Sequence, residues 1–414
     1  MSPARRPLLW LIAAVGLGVR LFLAFHWYGN GDIFTFQLIG LQAEQHGVHT
    51  YATNIDGVFW PYPPGYLPWL VAAVKLSRET GVAFQSLVQA LPILADLGIA
   101  IAVYVHLGWR GATERSRVAG FALVMLGPVF IAISGYHGQI DPVATLAGVL
   151  AFLVWERSTG PGRPIAAGLL IGVGAVLKTV PVLLLVPLLV SARSVKEAAK
   201  LVAAAVVVAA IACLPFLVAE PAGFRKGLAY TGVPGRGGLS LIADPAFAAD
   251  RRLNSGLATV GVPNDVANWI SRAGGPITLV ILVVLLAFLL RYRPAPIDGV
   301  VLLWLAVFAL SPNFLLQYLI WALPFFIMAG YLWETALLQV AVIPVLLITY
   351  LSPSVYGRTG ADAYVVIMAC LWAFWVIALA VVARRIMRGR PAAERATQPP
   401  LVEVGGALSP GRAA

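Results

Sequence analysis

Polar residues are scarce along this chain and bunched together, so the apolar positions form long blocks. Clear blocks lie at about 7–27, 84–107, 118–134, 142–155, 200–218, 276–290, 297–312, 318–333, 335–352 and 364–383. A helix needs about 20 mostly apolar residues to cross a bilayer, and in lipid it satisfies its own backbone hydrogen bonds. The pattern therefore predicts an all-α polytopic membrane protein. A transmembrane β-barrel is excluded, because its strands would alternate apolar with polar residues. A further apolar stretch, 164–192, is interrupted at Lys178-Thr179-Val180-Pro181 and reads as one kinked helix or as two short segments.

Charge decides between these readings. With two segments, the clusters Arg110/Arg115/Arg117, Arg157/Arg163, Arg193/Lys196/Lys200, Arg291/Arg293 and Arg384/Arg385/Arg388/Arg390 all fall on one side of the membrane. With one helix the last three would change sides, against the bias of Lys and Arg toward cytoplasmic loops. Two segments give about 12 crossings in one bundle over 1–390, both termini cytoplasmic. Every unusual stretch then falls on the outer side: the first loop 29–83, the turn 134–141, the Lys178 break, the long loop 219–275 and the stretch 311–318. Residues 391–414, rich in Pro, Gly and Ala, are expected to form a disordered cytoplasmic tail. No fixed-period repeat is evident.

Composition agrees with a membrane protein. Of 414 residues, 60% are hydrophobic and 11% charged, against roughly 45–50% and 25% in soluble domains; mean hydropathy is +0.86. A net charge of +11 would suggest a nucleic-acid partner, but the cations sit in short clusters beside apolar blocks, so no such partner is expected. Cys213 and Cys370 each lie inside an apolar run and read as small buried hydrophobes. Arg5 and Arg6 before Leu8–Val19 resemble a signal peptide. Arg20 interrupts the run, however, and no small-x-small site follows, so an uncleaved first span is expected.

The first outer loop is too long for a connector and is not of low complexity. Asp32 follows the first span directly. From Ile33 to Gln45, apolar Phe34, Leu38 and Leu41 interleave with Gln37, Gln42, Glu44 and Gln45, which predicts an interfacial helix. An aromatic stretch, Trp60-Pro61-Tyr62, leads to a second short helix at about 66–79. Taken alone, Asp32 could equally be a helix N-cap. The turn Ser134–Pro142 places His137, Gln139 and Asp141 at the bilayer edge, where polar side chains are costly unless used or paired. Asp141 before Pro142 also suits a helix start. His137 and Asp141 are too few for a metal site, and no metal is expected. Lys178, at the break, can hold an anionic headgroup or phosphate, or simply snorkel. Arg225, Lys226, Arg236, Arg251 and Arg252 of the long loop could touch a lipid phosphate, though loop cations are commonly just solvated. Gln317 and Tyr318 add hydrogen-bonding groups at an outer edge.

Together these segments supply carboxylates and a cation to one face. A carboxylate can accept the proton of an attacking hydroxyl, and a cation can stabilise a departing phosphate. With no P-loop and no soluble nucleotide-binding fold, a lipid-linked donor is the natural one.

The motifs carry a resemblance. Asp32 just after span one, YPPGYLPWL (Tyr62–Leu70), GYHGQID (Gly135–Asp141), LKTVPVLLLVP (Leu177–Pro187) and SPNFLLQYLIWALPF (Ser311–Phe325) occur in that order over roughly residues 7–330. The pattern resembles the GT-C superfamily of integral membrane glycosyltransferases, and is similar to bacterial relatives of the glycosylphosphatidylinositol mannosyltransferases. The resemblance implies short interfacial helices over a bundle and a polyprenyl-phosphate sugar donor used at the outer leaflet of the cell membrane. It also implies a lipid or glycan hydroxyl as acceptor, and no separate cofactor. Asp32 would be the catalytic base, Asp141 would assist or orient the acceptor, and Lys178 would contact the donor phosphate. His137, Gln139, Tyr62, Gln317, Tyr318, Arg225 and Lys226 would complete the binding site. The motif Trp-Trp-Asp-Tyr-Gly of oligosaccharyltransferase catalytic subunits is absent, as is their Asp-x-Asp or Asp-x-Glu pair, which argues against a divalent metal and whole-oligosaccharide transfer. The expected reaction is an inverting transfer of one sugar, a mannose-like hexose first, with glucose, galactose and arabinofuranose left open. A transporter or lipid flippase is the alternative; the single break and the one-sided polar groups fit it less well.

Overall fold

The computed structural model describes residues 6–52, 59–230, 232–253, 261–350 and 353–389, so the tail expected over 391–414 lies outside the described residues. The described chain is helical, with no strand among the described residues. Helix α1 (Arg6–His26) is followed by two short helices, α2 (Gly31–His46) and α3 (Leu67–Thr80), which are the two elements read in the first loop. Then come α4 (Phe84–Trp109), α5 (Glu114–Met125) and a single turn, α6 (Pro128–Phe130), running into a π-helical turn over Ile131–His137. Helices α7 (Asp141–Arg157) and α8 (Arg163–Leu177) form a hairpin. A 3₁₀ turn over Val180–Leu184 opens α9 (Leu185–Val190), and α10 (Val195–Ala219) packs back along α8.

The apolar stretch 164–192 is thus two segments. Pro181 cannot donate a backbone hydrogen bond, Lys178 has extended backbone (φ −155°, ψ 134°), and α8 stops at Leu177. The long loop contains α11 (Pro221–Leu228), α12 (Leu239–Ala243), α13 (Pro245–Leu253) and α14 (Asp265–Arg272). The remaining helices are α15 (Gly274–Tyr292), α16 (Pro296–Leu310), α17 (Leu319–Met328), α18 (Leu332–Ala341), α19 (Ile343–Tyr350) and α20 (Pro353–Met387). Among the described residues, six helices are long and apolar enough to cross a membrane, and α18 with α19, bent by 40°, make a seventh. Shorter apolar helices, among them α8, α16 and α17, are packed among them.

Two packing features position the site. The first is Arg20, which interrupts the opening apolar block. It is wholly buried, its Nε 3.0 Å from both Asp96 Oδ2 and Ser134 Oγ, and its terminal nitrogens donate to the carbonyls of Gly16, Val124 and Met125. A charge inside an apolar bundle is tolerated when it is paired and its donors are satisfied, and this arrangement ties α1 to α4 and to the π turn. The second is a separate apolar cluster beneath the first loop. Ile33, Phe36 and Ile39, spaced to share one face of α2, pack with Leu67 and Leu70 of α3, Trp60, Tyr66, and Phe84 and Val88 of α4. Gly40 lets α2 approach α3, since a Cβ there would lie 2.8 Å from Val74 Cγ2. The loop is therefore a packed lid on one end of the bundle.

Candidate active site

Chain ends gather around a cavity of about 590 Å³ at that end. Asn30 caps α2 by accepting from the backbone N–H of Asp32, so the N-cap role weighed for Asp32 belongs to its neighbour. Asp32 instead sits in the first turn of α2, where the helix dipole favours a carboxylate. Gly29, with φ +84°, makes the turn between α1 and α2; a Cβ there would strike the Tyr136 carbonyl.

Asp32 is held from the π turn. His137 Nε2 lies 2.8 Å from Asp32 Oδ2, the Gln139 amide donates to the same oxygen, and His137 Nδ1 lies 2.8 Å from the Tyr350 hydroxyl. No described residue bonds the other carboxylate oxygen, and 48% of the Asp32 side chain is exposed, toward the cavity it lines. Burial pushes the Asp32 pKa up, but the hydrogen bonds and charge of His137, the Gln139 bond and the nearby Lys178 charge outweigh it, so the group lies below the ordinary carboxylate range.

The wider turn makes this geometry possible. The π-helical run over Ile131–His137 ends at Gly138 in the left-handed region (φ +71°), where a Cβ would lie 2.9 Å from the Gln89 side chain. That reversal carries His137 and Gln139 back to the same oxygen while Asp141 opens α7.

Asp141 is placed differently from Asp32. It is wholly buried, and each of its oxygens lies 2.8 Å from Lys178 Nζ; Trp321 Nε1 donates to Oδ1 at 2.5 Å. It joins the start of α7 to the end of α8 and does not line the cavity. Lys178 does line it, boxed by the rings of Tyr62 (4.9 Å to the centroid), Trp321 (5.5 Å) and Tyr318 (5.8 Å), with Tyr318 stacked on Trp321 at 3.9 Å. Tyr62, Gln317 and Tyr318 line the same cavity. Burial, then the Asp32 and Asp141 charges, hold the Tyr62 phenol well above its usual range, so it stays neutral.

Arg225 and Lys226 do not line the cavity; they lie on α11, with Lys226 over the Phe59 ring. The cavity takes its loop cations from Arg236 and Arg252. Arg252 is 5% exposed, and its Nη2 donates to the carbonyls of Ile348 and Thr349, the residues just before Tyr350. Its buried Nε makes no hydrogen bond with a described residue. The end of α19 therefore brings an arginine beside the residue that supports His137. Trp321, Tyr230 and Tyr350 were not singled out from the sequence, and Arg236 and Arg252 were named there only among five loop cations. Lone arginines in a long loop look alike, and a tyrosine closing an apolar helix reads as an interfacial anchor. Among the described residues, no group of three or more His, Cys, Asp or Glu side chains is gathered as a metal would require.

The family model for glycosyltransferase family 87 matches residues 60–317, more than half of the chain. None of the curated proteins matches it by sequence. Among solved structures, the crystal structure of ArnT from Cupriavidus metallidurans in the apo state is similar, with a TM-score of 0.53 and 17% identity over 95% of this chain and 75% of that one. The similarity is one of fold. The chain belongs to glycosyltransferase family 87 and is a membrane glycosyltransferase of the GT-C superfamily.

Proposed function

We propose that this enzyme moves a single sugar, a mannose-like hexose, from a polyprenyl-phosphate donor to a hydroxyl of a lipid or glycan acceptor at the outer face of the cell membrane. The reading is carried by one observation: a carboxylate with one oxygen bonded by His137 and Gln139 and the other bonded by no described residue opens into a cavity that also holds two arginines and a lysine. Asp32 takes the proton of the acceptor hydroxyl as its oxygen attacks the anomeric carbon. The bond from that carbon to the phosphate oxygen breaks with its electron pair, and polyprenyl phosphate departs. One displacement inverts the anomeric centre. Arg236 and Arg252, which line the cavity, neutralise the leaving phosphate, so the charge is met without a divalent ion.

Lys178 is neutralised by Asp141 and contributes less charge than its position suggests. Asp141 acts through it as a positioning residue, holding Lys178 among Tyr62, Tyr318 and Trp321. A depressed pKa suits Asp32, which must be ionised when the acceptor arrives and can gain the proton late, as the anomeric carbon becomes cationic.

The test is sugar transfer in membranes carrying wild type or Asp32→Asn, with a panel of radiolabelled polyprenyl-phosphate sugars and a lipid extract as acceptor. Donor-specific product should fall at least about 10²-fold in the variant, the usual contribution of general-base catalysis. Near-normal turnover in a folded Asp32→Asn protein would remove the proposed base. Product that disappears on chelation with EDTA would overturn the metal-free reading.

A further inference from the structure

A second cavity, of about 310 Å³, opens among the far ends of the helices that carry the site. Helix α7 begins at Asp141 and ends at Arg157, a distance of about 24 Å at ~1.5 Å per residue. The new cavity lies at the Arg157 end, between α4, α7, α8 and the start of α16.

Its charge is unbalanced. Arg110, Arg157 and Arg163 line it against one carboxylate, Glu156. That carboxylate faces the buried His106, with Oε2 3.4 Å from Nδ1. Arg163, 7% exposed, is already oriented: its guanidinium bonds Glu197 Oε1 at 2.5 and 2.9 Å and lies over the Trp155 ring. Neither the Arg110 nor the Arg157 guanidinium makes a hydrogen bond or close ion pair with a described residue; Arg110 acts on Glu156 through its charge, and Arg157 lies over Trp109, 5.4 Å from its ring centroid. Within the same cavity lies His106, 1% exposed.

Cations that serve only to orient a helix in a membrane need no cavity and no buried partner. Here two guanidiniums that hold no carboxylate in an ion pair, a fixed third and a buried imidazole line one open cavity. Planar guanidiniums match the oxygens of a phosphate group two at a time, and α8 begins here, adding the positive end of its dipole. We propose that this second cavity binds a phosphate group, that of an anionic phospholipid or of a free phosphate, at the end of the bundle opposite the catalytic cavity. Arg110 and Arg157 are the ligands that close on it, and Arg163 is the fixed floor.

The test compares wild type with Arg110→Gln/Arg157→Gln, two side chains that make no hydrogen bond or close ion pair with a described residue and can be replaced without opening the core. The control is Arg291→Gln/Arg293→Gln, exposed cations that do not line this cavity. Each protein is purified in a neutral detergent. Native mass spectrometry and thermal unfolding then follow titration with phosphatidylglycerol, phosphatidylcholine or inorganic phosphate. Wild type should retain phosphatidylglycerol and melt higher with it, and the Arg110/Arg157 double variant should lose at least tenfold in affinity while the control keeps it. Stabilisation by inorganic phosphate with the same two-arginine dependence supports the site with a free anion as its ligand, and phosphatidylglycerol alone supports a lipid. Equal losses in variant and control, or no binding of either probe by wild type, would overturn the proposal.

Discussion

Asp32 owes its proposed role to neighbours more than to itself. A carboxylate two residues into an interfacial helix is ordinary; one that receives a histidine and an amide on the same oxygen, with the other oxygen left toward a cavity, is poised. The sign of the resulting pH dependence follows. The folded-state pKa of Asp32 lies below the ordinary value, so the ionised base is present above that lowered value and is lost as the pH falls through it. Wild type should therefore show no acid limb from Asp32 near pH 5. Gln139→Ala removes one of the bonds that favour the anion and raises the Asp32 pKa, moving the acid limb of kcat/KM to higher pH. A pH profile of transfer for the two proteins decides this, and identical acid limbs would mean that Asp32 is not the titrating base. The sequence alone could bring His137, Gln139 and Asp32 onto one face, but it could not say that they share an oxygen. That depends on a π-helical turn whose residues, Ile131–His137, read as ordinary helix. Gly135 is the nearest signal, since a Cβ there would lie 2.9 Å from Arg20 Cα, but its meaning needs the packed bundle.

Elements were legible where one local rule dominated. Alternation of apolar and polar residues marked α2, Pro181 and Lys178 marked the break after α8, and the Lys and Arg bias chose two segments over one. The loop over 219–275 was not legible, because its short helices are held by tertiary contacts such as Ser240 Oγ to Asn313 Oδ1 at 2.8 Å and Tyr364 to the Arg236 carbonyl. Of the five cations named in that loop, the sequence reading favoured Arg225 and Lys226, whereas the fold turns Arg236 and Arg252 to the cavity. The strongest bond between elements at the site is the Asp141–Lys178 pair, which fastens α7 to the break. Removing one member of a buried pair strands the other charge, at a cost of about 3–5 kcal/mol, whereas replacing both can be nearly neutral. Asp141→Asn should lower the unfolding midpoint sharply, and Asp141→Asn/Lys178→Met should recover most of that loss while transfer stays low. Thermal unfolding beside an activity assay separates the two effects. A double variant as unstable as Asp141→Asn would show that the pair is not what joins these elements.

At the scale of the whole molecule, the two cavities divide the protein into unlike ends. One end holds Asp32, the aromatic box around Lys178 and the packed first loop; the other holds Arg110, Arg157 and Arg163 at the ends of α4, α7 and α8. Lys and Arg favour the cytoplasmic side of a bilayer, so this asymmetry predicts that the catalytic cavity faces outward and the arginine cavity faces inward. The prediction can be read without any substrate. In a background with Cys213 and Cys370 replaced by Ala, a cysteine at Glu79, at the end of α3, samples the catalytic end, and one at Ser158, between α7 and α8, samples the other; both positions are exposed. A membrane-impermeant maleimide applied to intact cells should label Glu79→Cys and spare Ser158→Cys until the membrane is opened. The reverse pattern would place the arginine-rich end outside. It would also move the proposed transfer to the cytoplasmic leaflet, where the donor would have to be presented from the other side of the bilayer.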